Sequence, residues 1–420
     1  MRRKTLLFLS AVLTFSMALS ACTSLLPQND EPVSGDFGSP YTPQEHQLRT
    51  FEALWKNVQD NYIYFDNATV DWDGLHTTYV DRIDAGLSND QFNLMLHDLE
   101  TDLPSGAIAY QSRSERLTAD TADTSTYGGI GAYIGFQAEP EPHIVILAVM
   151  DGSPAEKAGI QAHDSLLEID GSPVLLEEGI TAVQRVRGPA GTSVELTVQS
   201  PGQTERSVTV TRAQIASTVK LDAYEVNGTQ YGYILIPPIA YDGLADDVVA
   251  NLRTFTANQN LKGLILDLRV AGSARNWPLE ELFTMFHDGE IGEFYNRSDQ
   301  QVATIQGQDF FGTQKIPLVI LVGENTSGSP EILAASLQAY ERATVIGENT
   351  PGAIESATPY ILPNGSRVFI ETSSFRLPNG DDIGNNGVKP NIQIEAGWDD
   401  VRPNHDPVLD KAIETLEAQQ

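Results

Sequence analysis

The chain has 420 residues, 41% of them hydrophobic, which is enough for two or three domains and a sizeable buried core. Its 57 acidic residues against 26 basic ones give a formal charge of −31, a surface that repels phosphate backbones and argues against nucleic-acid binding. Seven scattered His, none paired at helical ligand spacing, point to no metal site or cofactor, and the single Cys permits no disulfide within the chain.

The chain opens "MRRKTLLFLSAVLTFSMALSAC": three basic residues, an apolar stretch too short and punctuated for a membrane span, small residues, then the only Cys. This predicts a signal peptide over residues 1–21. Leu19-Ser20-Ala21-Cys22 resembles the lipobox of bacterial lipoproteins, which implies a lipidated Cys22 and an exported, membrane-anchored protein of the bacterial cell envelope. The alternative is an ordinary secreted protein in which Cys22 is incidental. Residues 22–45, rich in Pro, Gly, Ser and acids, read as a flexible tether.

Residues 46–112 carry helical patterns. Leu48, Phe51, Trp55, Val58 and Tyr62 share one face, and Ser88 with Gln91 fits a capping box ahead of Phe92, Met95, Leu96 and Leu99. Residues 113–126, "RSERLTADTADTST", are polar and aperiodic and read as a linker or lid.

From Tyr127 the pattern changes to short strands and Gly turns: "GAYIGFQ", "HIVILAVM", a short helix "SPAEKAGI", "SLLEIDGSPV", a helix "EEGITAVQRVRG", then "TSVELTV" and "RSVTVTR". Over 127–213 this order, with "YGGIGAYIGF", resembles a PDZ domain. Its Gly-rich start suits peptide binding: backbone N–H groups around Gly129, Ile130, Gly131 and Ala132 can converge on a terminal carboxylate while the next strand pairs with the peptide. The alternative is that these glycines only turn the chain into its first strand. One departure is His163, where the PDZ pattern usually has Gly; it reads as neutral.

Residues 214–420 alternate strand and helix: "QYGYILI", a helix near 242–257, "KGLILDLR", a helix near 278–288, "IPLVILV", a helix near 329–340, "ATVIG", "SRVFIETSSFRLPNG" and a last helix "DPVLDKAIETLEAQ". The predicted fold is therefore multidomain α+β and α/β: a helical N-terminal part, a β-rich PDZ domain and an α/β core with a central mixed sheet.

This order, with "PEILAASLQAYERATVIGENTPG" and "NNGVKPNIQIE", resembles the tail-specific, or C-terminal processing, serine peptidases from about residue 46 to 417. The resemblance implies a PDZ domain that engages protein C-termini and a Ser–Lys catalytic pair. A serine hydroxyl needs a base within reach, and Lys serves only when burial or charge lowers its pKa. In the family the serine lies three residues before a Glu, and the lysine follows 25 residues later. Here Gly328 stands three residues before Glu331, and Ala353 stands 25 residues after Gly328. Ala357 falls where the family has Gln, and Val270-Ala271-Gly272-Ser273-Ala274 replaces the loop that helps to form the oxyanion hole. "DLETDLPSGAIAY" lacks the family's His.

In "GENTSGSPEILAASL", Ser329 before Pro330 fits a helix cap, and Ser327 an ordinary turn residue. Either is an alternative nucleophile, but Lys262, Lys315 and Lys389 are poor candidate bases. The expectation is a non-catalytic homologue that binds peptide or protein C-termini as an adaptor or regulator. The rival is an active serine peptidase using Ser329 or Ser327. A third reading is an assembly role with neither binding nor cleavage.

Overall fold

In the computed structural model, residues 42–122, 128–215, 219–258, 261–273, 277–384 and 386–419 are described. The predicted signal peptide, Cys22 and the tether up to residue 41 lie outside them. The first helix, α1 (Pro43–Asn61), begins before the expected His46. With α2 (Trp72–Asp84) and α3 (Asn89–Asp102) it buries Phe51, Leu54, Val58, Ile83, Met95 and Leu99, one amphipathic face from each helix. The capping box forms as the spacing predicts: Gln91 N–H donates to Ser88 Oγ at 3.2 Å, and Ser88 N–H to Gln91 Oε1 at 2.9 Å.

This part is not a separate helical domain. It continues into β1 (Ile108–Gln111), and its helices share their core with Leu362, Val368 and Ile370 from the far end of the chain. The expected linker at 113–126 is corrected over its first part: Arg113–Ala122 is a helix, α4, with Ser112 N–H donating to Glu115 Oε2 at 2.6 Å across its start. Residues 123–126 lie outside the described residues.

The middle domain contains β2 (Gly128–Gly129), β3 (Ala132–Gln137), β4 (His143–Val149), α5 (Pro154–Lys157), β5 (Ser165–Ile169), β6 (Ser172–Pro173), α6 (Val183–Val186), β7 (Ser193–Gln199), β8 (Arg206–Thr211) and β9 (Ala213–Gln214). The predicted helix over 177–188 is a 3-10 turn, Gly179–Ala182, followed by the single turn of α6. Among the described residues the main sheet runs β3-β4-β5-β7-β8, while β2 pairs with β9 and so brings the two ends of the domain together.

The remaining elements are β10 (Asp222–Glu225), β11 (Tyr231–Leu235), α7 (Leu244–Asn258), β12 (Gly263–Asp267), α8 (Leu279–Phe286), β13 (Gly289–Asn296), β14 (Gln300–Ile305), β15 (Leu318–Val322), α9 (Ser329–Ala339), β16 (Thr344–Gly347), β17 (Ser356–Ile361), β18 (Arg367–Arg376), β19 (Ile392–Gln393) and α10 (Pro407–Ala418). Strands β10-β11-β12-β15-β16-β19 form the central sheet, antiparallel at β10–β11 and parallel elsewhere. Every residue of β12 and β15 is buried, because helices cover both faces. Leu264, Leu266, Ile320 and Val345 pack under α7, α8 and α9, while Ile265, Val319, Leu321 and Ile346 face Val408, Ala412 and Leu416 of α10. A second sheet joins β1, β18, β13 and β14, with β17 also on β18. Its strand β18 links the N-terminal helices to the core.

The middle domain docks on the core through one turn. Trp398 Nε1–H donates to the Leu147 carbonyl at 3.2 Å, and Trp398 packs with Val145, Leu147 and Val270. His163 stacks on Trp398 with ring centroids 4.2 Å apart, and its Nδ1 lies 2.6 Å from the Trp398 carbonyl oxygen. The departure at His163 is therefore not neutral. Its φ is 73°, a conformation that Gly adopts freely and His only at a cost of about 1–2 kcal/mol. Its contacts with Trp398 offset that cost.

Gly347 ends β16 at φ 131°, and a Cβ there would stand 2.0 Å from the Val322 carbonyl oxygen. Gly347→Ala is expected to destabilise the protein by at least about 2 kcal/mol, read as a lower denaturant midpoint with an unchanged slope.

Candidate active-site remnant and peptide-binding loop

The strand β15 turns into α9 through Gly323–Gly328. Thr326 ties the turn down, its hydroxyl donating to the Leu268 carbonyl at 2.8 Å and accepting from Gly323 N–H at 3.0 Å. The residue that precedes the helix is Gly328, at φ 72° and ψ −127°. Ser329 is therefore the first residue inside the helix, which corrects its reading as the cap. The start is set by Gly328's left-handed backbone and by Glu331, whose Oε2 accepts from Gly328 N–H at 2.8 Å.

Glu331 is fully buried. Its other oxygen accepts from the Thr350 hydroxyl and, at 2.6 Å, from Gly352 N–H. Burial pushes its carboxyl above the ordinary range, while these hydrogen bonds pull the other way. One carboxylate thus bridges the start of α9 to the turn that carries Ala353. Gly328 and Ala353 line one cavity of about 170 Å³ with Ser273, Ser329, Ile354 and Glu355 among its walls. A Cβ at Gly328 would stand 2.3 Å from Ser273 Cβ, so Ser273 fills the space that a side chain at 328 needs. Ala357 pairs with Glu371 just after the register shift that follows Ser356 in β17, and it is exposed.

Ser329 reaches this cavity, its Oγ 3.2 Å from Ser273 Oγ. Ser327 is held in the turn by its N–H to the Ala271 carbonyl at 3.1 Å and does not line the cavity. Among the described residues lining the cavity there is no Lys, Arg or His. Lys389 is exposed, and its carbonyl accepts from Gln338. Neither serine is brought to a described base. The ionisable group on the wall is Glu355, raised by burial, whose Oε1 accepts from the Tyr64 hydroxyl at 3.0 Å. Tyr64 also reaches Ser374 and Asp382, tying the N-terminal helices to the cavity wall. Sequence reasoning named Ser273 only within the loop 270–274 and missed Glu355 and Tyr64, whose meeting depends on long-range strand pairing. Glu331 was visible only as a landmark for register.

The second site is the loop between β2 and β3. The Ile130 carbonyl accepts from Ala155 N–H at 2.8 Å and the Gly131 carbonyl from Met150 N–H at 3.0 Å, which fixes the loop. The N–H groups of Ile130 and Gly131 have no acceptor among the described residues, although Ile130 is buried. Gly131 has φ 80°, and a Cβ there would meet Ser153 Cβ at 2.5 Å. Gly129 pairs with Ala213, and Ala132 begins β3, the edge strand of its sheet among the described residues. Two donors beside a free strand edge suit a peptide that ends in a carboxylate.

Comparison with known proteins agrees with this architecture. Residues 230–394 match the model of peptidase family S41, residues 145–200 that of the PDZ domain, and residues 43–99 that of the Tricorn protease C1 domain. These matched domains, and the relatives below, are those of tail-specific, or C-terminal processing, peptidases, and the chain spans a little under two thirds of the length of some of those relatives. It is 33% identical over 285 residues to a carboxyl-terminal-processing protease of Picosynechococcus, a match covering 63% of this chain and 64% of that protein. A carboxy-terminal-processing protease of Bartonella bacilliformis is 23% identical over 413 residues, covering 97% of this chain and 86% of that protein. Among solved structures, the photosystem II D1 C-terminal processing protease superposes with a TM-score of 0.63 at 23% identity, over 87% of this chain and 95% of that one. That likeness concerns the fold.

Beside the cavity lies a carboxyl with no such satisfaction. Glu371 is buried, its Oε2 has no partner among the described residues, and burial together with Glu355 pushes it up to about 7. A carboxyl raised on folding supports stability below its ordinary value of 4.5, and that support is lost as pH rises to about 7. Glu371→Gln is expected to remove this slope and to stabilise the protein by a few kcal/mol at about pH 8, measured by denaturant unfolding across pH.

Proposed function

We propose that this chain is a non-catalytic member of its family that binds free peptide or protein C-termini through the PDZ domain, as an adaptor or regulator of an active relative. The observation that carries this reading is the pair Gly328 and Ala353 in one cavity, with Ser273 in the space a side chain at 328 would need and no Lys, Arg or His among the described residues on its walls. The binding half rests on the unpaired N–H groups of Ile130 and Gly131 beside the open edge of β3. The position of Ser329 on the cavity wall favours one rival, a peptidase with a relocated nucleophile.

Mass spectrometry of unfolded substrates with free C-termini, incubated with the protein and with a Ser327→Ala/Ser329→Ala variant, separates the two readings. The proposal expects no cleavage by either. Cleavage by the unmodified protein alone would establish the rival. Calorimetry is expected to show binding of free-acid peptides that weakens at least about tenfold on C-terminal amidation, because charge-assisted hydrogen bonds are lost. Gly131→Val is expected to weaken binding as much, since its side chain would collide with Ser153. Absence of binding to a library of free-acid peptides would leave the assembly role.

The reading extends to location: an exported protein anchored in the bacterial envelope by lipid on Cys22. It is supported by the basic, apolar and small-residue sequence before the only Cys. Cys22→Ser is expected to move the protein from the membrane fraction to the soluble one, read by fractionation and immunoblot.

A further inference from the structure

The PDZ domain meets the core beside Trp398 in a second contact, chemically unlike the first. His143 at the start of β4 is buried. Its Nδ1 lies 2.8 Å from the Glu141 carbonyl oxygen, and its Nε2 lies 2.9 Å from Asp399 Oδ2. A carbonyl oxygen and a carboxylate are acceptors, so both ring nitrogens are placed to donate. Only the imidazolium has two N–H groups. Asp399 Oδ2 also accepts from Ser165 Oγ at 2.9 Å, so this carboxylate gathers two donors from the PDZ domain.

We propose that His143 is a pH-sensitive latch that, as imidazolium, clamps the PDZ domain to the core through Asp399, so that docking loosens as pH rises and the ring loses its proton.

The groups around the latch act in the same direction. Next to it, a cavity of about 420 Å³ opens between the PDZ segment 137–140 and the core. Its walls carry Glu139 from the PDZ side and Glu324, Glu348, Glu395, Asp399 and Asp400 from the core side. His143 is the cation on this side of the interface. Arg269 lies over the Trp398 ring and is engaged by Asp267 and Asp406. His163, against Trp398, is held below its ordinary value by burial and docks as the neutral ring.

His143 is raised by Asp399 and the Glu141 carbonyl against an opposing burial effect, so its contribution is present at low pH and is lost as pH climbs through the raised value. Glu348 is pushed up to about 7 by burial and by Glu324, Asp400, Asp399 and Glu395. Above that value it ionises among its like-charged neighbours and adds repulsion at the same seam. Asp399 is lowered by His143 and Ser165, and its share is lost only in strong acid.

The test is amide hydrogen exchange on the full mature protein, followed in residues 143–149 and 397–401 from about pH 6 to about pH 8.5 and corrected for intrinsic rates. Protection is expected to fall across this range, the direction set by a His143 pKa that docking raises. His143→Gln is expected to show low protection at every pH, and Glu348→Gln to keep protection to higher pH. A flat profile for the unmodified protein, or a His143→Gln profile identical to it, would overturn the proposal. Should His143→Gln fail to fold, with protection lost in α9 as well, Glu348→Gln decides: a profile shifted to higher pH supports the latch, and an unchanged one refutes it.

Discussion

The carboxylate of Glu331 holds this part of the molecule in shape. A buried carboxylate is tolerated only when its oxygens are filled by donors, and this one takes Gly328 N–H on one side and Thr350 and Gly352 on the other. Those donors come from the start of α9 and from the turn after β16, elements that the parallel sheet places side by side. Thr350 passes the tie on, its hydroxyl accepting from Val388 N–H at 2.8 Å. The turn that carries Ala353 is thereby fixed to the loop before β19. The relative placement of positions 328 and 353 is thus held by this one carboxylate.

A second hub governs the PDZ domain. Trp398 spends its N–H on β4 and its carbonyl on His163, and offers its ring to Arg269. The guanidinium of Arg269 is buried between Asp267 and Asp406, and Asp406 also caps α10 by accepting from Val408 and Leu409 N–H. The end of β12, the C-terminal helix and the PDZ domain are therefore joined by a short series of contacts. Tyr133, at the start of β3, packs against the same cluster, so the loop at 129–131 adjoins a strand that the hub holds in place.

Much of this was legible in the sequence where local rules decide. The apolar runs of β12 and β15, the capping box at Ser88 and Gln91 and the amphipathic face of α7 are each set within a dozen residues. The second sheet was not legible as a sheet. Strands β13 and β14 carry mixed polar residues, and β1 pairs with β18 across most of the chain, so neither periodicity nor spacing announces the pairing. The polar run of α4 hid a helix for the same reason: it has little apolar pattern to detect. At the site, Gly328 and Ala353 were found through family register, whereas Ser273, Glu355 and Tyr64 reach the cavity only through tertiary pairing. Ser329 misled because a serine before proline satisfies the local capping rule, while the backbone of Gly328 and the reach of Glu331 set the boundary one residue earlier.

The residue at 328 is the one that its backbone favours. A left-handed backbone at φ 72° suits Gly, and any other residue there would hold strain of the kind that active sites store. Ser273 closes the space beside it. At 353 the neighbouring carboxyls of Glu331 and Glu355 are both raised by burial. Reactive side chains supply chemistry, while the hydrogen bonds of Glu331 and the packed faces of the sheet supply stability. The frame around positions 328 and 353 is therefore held by groups other than the side chains at those two positions.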